Sequence, residues 1–198
     1  MVNMNPVLYR VCCSSCAALT ILPIDILQTK ILSEEKDVFK LDELRWTSLM
    51  TTIFAIQNSV YTWSSFIPNN IIRGAIAGLS ASPPYIFLEI KKFQLRLNIY
   101  PKLQTYIFWM TLREIVVYIT IYNFYLLKIP YAKFLSAFTA NTLGFPLRIM
   151  ALKSSYPTLK ITFDSVKKSA LLEILKSSIG DGLTLYLIYN FHLSPLKI

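Results

Sequence analysis

Pro23-Ile24-Asp25-Ile26-Leu27-Gln28-Thr29-Lys30 places a proline, a carboxylate, an amide and a base within two helical turns of an otherwise apolar run. Proline inside a helix removes a backbone donor and bends the axis, and an acid among aliphatic side chains needs a partner. The octet has two counterparts. Phe87-Leu88-Glu89-Ile90-Lys91-Lys92-Phe93-Gln94 keeps the acid and the base, just after Pro83 and Pro84. Pro146-Leu147-Arg148-Ile149-Met150-Ala151-Leu152-Lys153 keeps the proline and the last base, with Arg148 where the acid stood. The three recur with a period of roughly 60 residues, room for two helices per unit.

Outward from these octets the chain is almost all helix-length apolar segment. No charged residue occurs from Trp46 to Ile72, and a second uncharged stretch, Ile115 to Leu127, is extended backwards by Leu103 to Leu112. A membrane-crossing helix needs about 20 mostly apolar residues, and six segments qualify on this reading, near 6–32, 44–66, 69–97, 103–128, 130–154 and 165–191. The expected fold is therefore an all-α membrane protein. It forms a single domain over 1–198, with six transmembrane helices arranged as three two-helix repeats at about 1–66, 67–128 and 129–198.

Composition points the same way. Of 198 residues, 54% are hydrophobic, 14% aromatic and only 16% charged, whereas globular domains average about 45–50% apolar and about 25% charged. The net charge of +9 is spread over several short connections between apolar segments. It therefore reads as membrane flanks, with no nucleic-acid stripe. Cys12, Cys13 and Cys16 cluster at one end, and His192 is the one histidine. Neither a disulfide framework nor a zinc site follows, and the cysteines read as small packing residues. A nucleophile–base set, a phosphate-binding glycine loop and a metal constellation are all missing, so the expectation is no enzyme and no cofactor.

If the segments alternate direction, most lysines and arginines fall on one side. Lys30, Lys36, Lys91, Lys92, Lys153, Lys167 and Lys168 are among them, while the other side keeps Arg10, Arg73, Lys128, Lys133 and Lys197. The positive-inside rule then puts both termini away from the basic compartment.

The three octets, in register on alternate segments, resemble the signature of the mitochondrial carrier family, Pro-x-acid-x-x-base-x-base. The run Leu112-Arg113-Glu114-Ile115-Val116-Val117-Tyr118 with Lys128 is similar to a fourth helix of that family. Lys176-Ser177-Ser178 with Gly182-Leu183-Thr184-Leu185 is similar to a sixth, and Arg73-Gly74-Ala75-Ile76-Ala77-Gly78 to the opening of a third. The resemblance implies a matrix gate at Pro23, Asp25, Gln28, Lys30, Glu89, Lys92, Pro146, Arg148 and Lys153. Of its three pairs only Asp25 with Lys92 keeps both charges, since position 151 is Ala and Arg148 would face Gln28. Arg148 is expected to turn to Glu89 or a loop carboxylate, because a buried unpaired charge costs several kcal/mol (about 3–5).

The same resemblance implies cavity contacts for an anionic solute at Arg113, Glu114, Lys176 and Asp181, with pairing of Lys176 to Asp181, or of Arg113 to the neighbours of Glu114, as the competing role. It implies an outer-gate remnant at Tyr122, Asn123, Lys128, Tyr189 and Asn190, where the sequence has lost every acid of the family motif. The linkers are too short for the family's matrix surface helices, which are largely deleted, so the implied cardiolipin contact loses part of its frame. The implied location is the mitochondrial inner membrane, multi-pass, with both termini in the intermembrane space. Lost gate chemistry on a retained architecture points to a transport-deficient structural or accessory subunit of a larger membrane complex, such as a respiratory-chain complex, contacting lipids and other subunits. The alternative is a functional minimal carrier exchanging small anionic metabolites by alternating access.

Overall fold

The computed structural model describes residues 6–33, 64–124, 131–159 and 161–190, together with positions 49, 51, 52, 55, 56, 59 and 60. Five long helices hold most of them: α1 (Pro6–Ser33), α2 (Asn70–Leu97), α3 (Leu103–Phe124), α4 (Ala132–Ser155) and α5 (Phe163–Asn190). A 3-10 turn, Ser64–Phe66, precedes α2.

The ends of α2 have local causes. Asn69 accepts hydrogen bonds from the Ile71 and Ile72 amides at 3.0 and 3.1 Å, satisfying two of the donors a helix start leaves open. Asn98 closes the helix in the left-handed region at φ 51°, a conformation Asn tolerates better than most residues. Pro83 and Pro84 lie inside α2. Because Pro83 cannot donate to the Leu79 carbonyl, that oxygen is open, and the Ser82 hydroxyl fills it at 3.1 Å.

From α2 onward each helix packs on the next, α2 on α3, α3 on α4 and α4 on α5, while α5 returns to α1. The α2–α3 contact is backbone-close because Gly74 and Gly78 face it. A Cβ at Gly74 would stand 2.5 Å from Ile119 Cα, and one at Gly78 2.6 Å from Ile115 Cα. Small residues four apart allow this approach between helices. Leu49 packs with Ala18, Ile21 and Leu88, and Val60 joins Ala77, Ala81, Val117 and Ile121. A second apolar cluster at the other end of α2 gathers Phe93, Tyr106, Met110, Leu152 and Tyr156. The Lys102 amide donates to the Ser155 carbonyl at 2.8 Å, tying the α2–α3 connection to the end of α4.

The chain is all-α, but the expectation of six transmembrane helices in three repeats is overturned. Five long helices are described, and among the described residues only Asn70–Gln94, 25 residues, is long and apolar enough to cross a membrane. The other helices are interrupted by charge or by hydroxyl and amide side chains; α5 alone carries Glu173, Lys176 and Asp181. In α1 the apolar stretch shrinks to Ser15–Gln28. Most of the span expected at 44–66 lies outside the described residues, although the described positions from 49 to 60 are each helical. The 98–102 connection carries no surface helix.

Candidate functional site

Three helices each present two polar side chains three residues apart: Asp25 and Gln28 on α1, Glu89 and Lys92 on α2, Glu173 and Lys176 on α5. This spacing puts both members on one helical face. Arg148 joins them from α4, and all seven are buried. Burial of this much charge is tolerated only when each group is paired and hydrogen-bonded.

The pairing is dense. Lys92 Nζ donates to Asp25 Oδ1 at 2.8 Å and to Glu89 Oε1 at 3.3 Å. Lys176 Nζ donates to the same Asp25 oxygen at 3.0 Å and to Gln28 Oε1 at 2.9 Å, and lies 2.9 Å from Glu173 Oε2. Gln28 Nε2 donates to Glu173 Oε2 at 2.5 Å. Arg148 spans two carboxylates, with Nη2 2.8 Å from Glu89 Oε2 and Nη1 on Glu173 Oε2. Three carboxylates thus balance three cations. Among the described residues α1 and α2 share no extensive backbone packing, nor do α2 and α4. Lys92–Asp25 and Arg148–Glu89 therefore link helices that their backbones do not join, and the network acts as a lock across the interior.

A second group adjoins it. Arg113 pairs with Glu114, donates to Asn141 Oδ1 at 3.1 Å and lies over the Tyr85 ring at 4.9 Å. Asn141 Nδ2 donates onward to Asp181 Oδ2 at 3.0 Å, and Arg113 Nη2 is 3.7 Å from Glu173 Oε1. Arg113 thereby connects the two groups. Nearby, burial holds the Tyr156 hydroxyl above the ordinary phenol range, with the Glu89 carboxylate adding to it.

Several expected residues fall elsewhere. Lys176 turns to Asp25, Gln28 and Glu173 and not to Asp181, because the lock offers three acceptors and Asp181 is held by Asn141. Arg113 and Glu114 pair with each other although they are adjacent in the chain. Gln28 faces Lys176 and Glu173, while Arg148 takes Glu89, as a buried guanidinium must find an acid. Pro146 and Lys153 are exposed outside the network, as is Pro23, and none of the three joins a gate pair among the described contacts. The Lys30 side chain, Lys128, and the side chains of Tyr189 and Asn190 lie outside the described residues.

At the opposite end the described contacts are neutral or one-signed. Ser64 Oγ and Tyr122 Oη share a hydrogen bond at 2.5 Å, and the Arg73 guanidinium lies 4.3 Å from the centre of the Tyr122 ring. Asn123 is exposed and donates to its own helix at the Ile119 carbonyl, 2.8 Å away. Glu173 is the residue that the sequence reading missed. Its signal was present, because Glu173-x-x-Lys176 repeats the spacing of Glu89-x-x-Lys92.

Among the described residues no group of three His, Cys, Asp or Glu side chains is placed to hold a metal ion. Comparison of the chain with protein families, curated proteins and solved structures returned no match.

Proposed function

We propose that the chain is a membrane-embedded, carrier-derived protein that has lost transport and serves as a structural or accessory subunit of a larger assembly, one of the respiratory-complex kind. The observation that carries this reading is an inverted distribution of polarity. Arg148, Lys92, Asp25, Glu89 and Glu173 are buried, while Leu19, Ile71, Phe108, Leu143 and Leu171 are each more than half exposed. In water that arrangement loses twice, since charge is dehydrated and apolar surface is left wet. Against lipid or a partner subunit the same apolar faces are covered, and interior charges are the expected kind.

An asymmetry between the two ends, among the described residues, supports the loss of transport. Alternating access needs two gates that open in turn, each stable when closed. Here one end holds at least six charged or amide contacts within a single network, so opening it breaks all of them together. Among the described contacts at the other end, Ser64 with Tyr122 and Arg73 over Tyr122 supply about 1 kcal/mol each. The mitochondrial inner membrane as location, and lipid and complex subunits as partners, rest on the family resemblance. Catalysis and resident cofactors form no part of the reading.

Reconstitution into liposomes loaded with small anionic metabolites tests it. The expected result is uptake equal to that of protein-free liposomes. A second reading, a minimal anion carrier, is favoured by Arg113, which joins a polar group next to the lock. Uptake above background that disappears in Arg113→Ala would establish that reading and overturn the first.

A further inference from the structure

Glu173 is the most heavily coordinated group among the described residues. Its carboxylate accepts hydrogen bonds from Gln28 Nε2 of α1 at 2.5 Å and Ser177 Oγ at 3.3 Å, and forms ion pairs with Lys176 Nζ at 2.9 Å, Arg148 Nη1 of α4 and Arg113 Nη2 of α3 at 3.7 Å. Donors from four helices converge on one carboxylate that is 1% exposed. A protein site for a free carboxylate is built this way, with convergent guanidinium, ammonium and amide donors in a dry interior. The donors are also not fully used, because Arg148 Nε and Arg113 Nε are buried and meet no acceptor among the described residues.

We propose that Glu173 is a tethered anion occupying a carboxylate-binding site formed by Arg148, Lys176, Gln28 and Arg113, and that this site takes a small free monocarboxylate once the side-chain carboxylate is removed. Glu173 then differs in kind from Glu89 and Asp25. Each of those balances cations between two helices, whereas Glu173 fills a pocket of donors that would otherwise hold excess positive charge. Removing it leaves the lock's Arg148, Lys92 and Lys176 facing only Asp25 and Glu89, with the surplus at the vacated position. Shortening Glu to Ala removes Cγ, Cδ and both carboxylate oxygens, which leaves room for formate or acetate. The inference goes beyond the structural-subunit reading and does not depend on it, since it concerns donor chemistry alone.

The test uses the full chain purified in detergent, with thermal unfolding followed for the wild type, Glu173→Ala and Glu173→Gln. Removing one partner of a buried ion network should lower the midpoint by about 10 °C in Glu173→Ala. Sodium formate or acetate at 100 mM should return about 5 °C of that and leave the wild type unmoved, while gluconate at equal ionic strength, too large for the site, should return nothing. Equal shifts in variant and wild type would show a general salt effect and overturn the proposal.

If Glu173→Ala does not fold, Glu173→Gln decides. It keeps the volume and a carbonyl acceptor but loses the charge, so the proposal requires it to be destabilised, and requires Arg148→Gln/Glu173→Gln to recover at least half the loss by removing the uncompensated cation. A Glu173→Gln variant as stable as the wild type, or a double variant worse than both singles combined, would overturn it.

Discussion

Lys92 on α2 and Lys176 on α5 donate to the same oxygen, Asp25 Oδ1, at 2.8 and 3.0 Å. Two ammonium groups this close repel one another unless an acid lies between them. Asp25 is that acid, and it draws three helices onto one atom.

Asp25→Asn should therefore be among the most damaging single changes in α1. It leaves two buried lysines short of a counter-charge, and about 3–5 kcal/mol of stability should be lost, read as a drop in thermal midpoint in detergent. Exchanging the pair as Asp25→Lys with Lys92→Asp should restore less than half of that loss, because the new Lys side chain faces Lys176. Full restoration would show that Lys176 does not share the site.

Arg148→Lys should not be conservative. The guanidinium reaches Glu89 and Glu173 with separate nitrogens, whereas an ammonium is a single point charge. A loss of about 1–2 kcal/mol is expected for Lys, and about 3–5 kcal/mol for Arg148→Met, which leaves a carboxylate uncompensated. Equal stability of Arg148→Lys and wild type in thermal unfolding would contradict the bridging role.

Gly78→Ala should push α2 and α3 apart. The added methyl carbon meets the Ile115 and Glu114 backbone, which cannot rotate away as a side chain could, so a loss of about 1–3 kcal/mol is expected. An unchanged unfolding midpoint would mean that the helices are further apart than described.

Tyr156→Phe should be neutral or stabilising. The Tyr156 hydroxyl is buried without a hydrogen-bond partner among the described residues, and such a group costs about 1–3 kcal/mol to bury. The pH dependence has a definite sign. Burial raises the phenol in the folded chain, so its folded form holds the proton longer than the unfolded one, and stability falls as pH rises past about 10. Tyr156→Phe removes that contribution and should show a shallower alkaline loss in a pH series of unfolding midpoints; a steeper loss would contradict it.

Legibility in the sequence followed the range of each interaction. The octet around Asp25 marked the interior because proline, acid and base in an apolar run are a local signal. The contact of Lys92 with Asp25 is one that the family resemblance implies, and that of Arg148 with Glu89 could be argued from the cost of an unpaired buried charge. Which of several lysines takes which acid could not. Lys176 had an acid five residues on at Asp181, and only the packing of α5 on α1 turns it instead to Asp25 and Gln28. Glu173 escaped for the opposite reason, since Glu and Lys three apart on a helix ordinarily lie in solvent. Counting spans from apolar runs failed where the runs carry interior charge. Hydrophobicity alone does not separate a lipid-crossing helix from one whose polar face lines a buried network.

On the proposed function, this chain is one part of a larger membrane assembly, with its apolar faces covered and its interior locked. Native electrophoresis of mildly solubilised membranes, with mass spectrometry of each slice, tests it most directly. Migration at constant stoichiometry with a complex many times larger than the 22.7 kDa chain is expected. Migration as the lone chain in its detergent micelle, with no co-migrating partner, would contradict it.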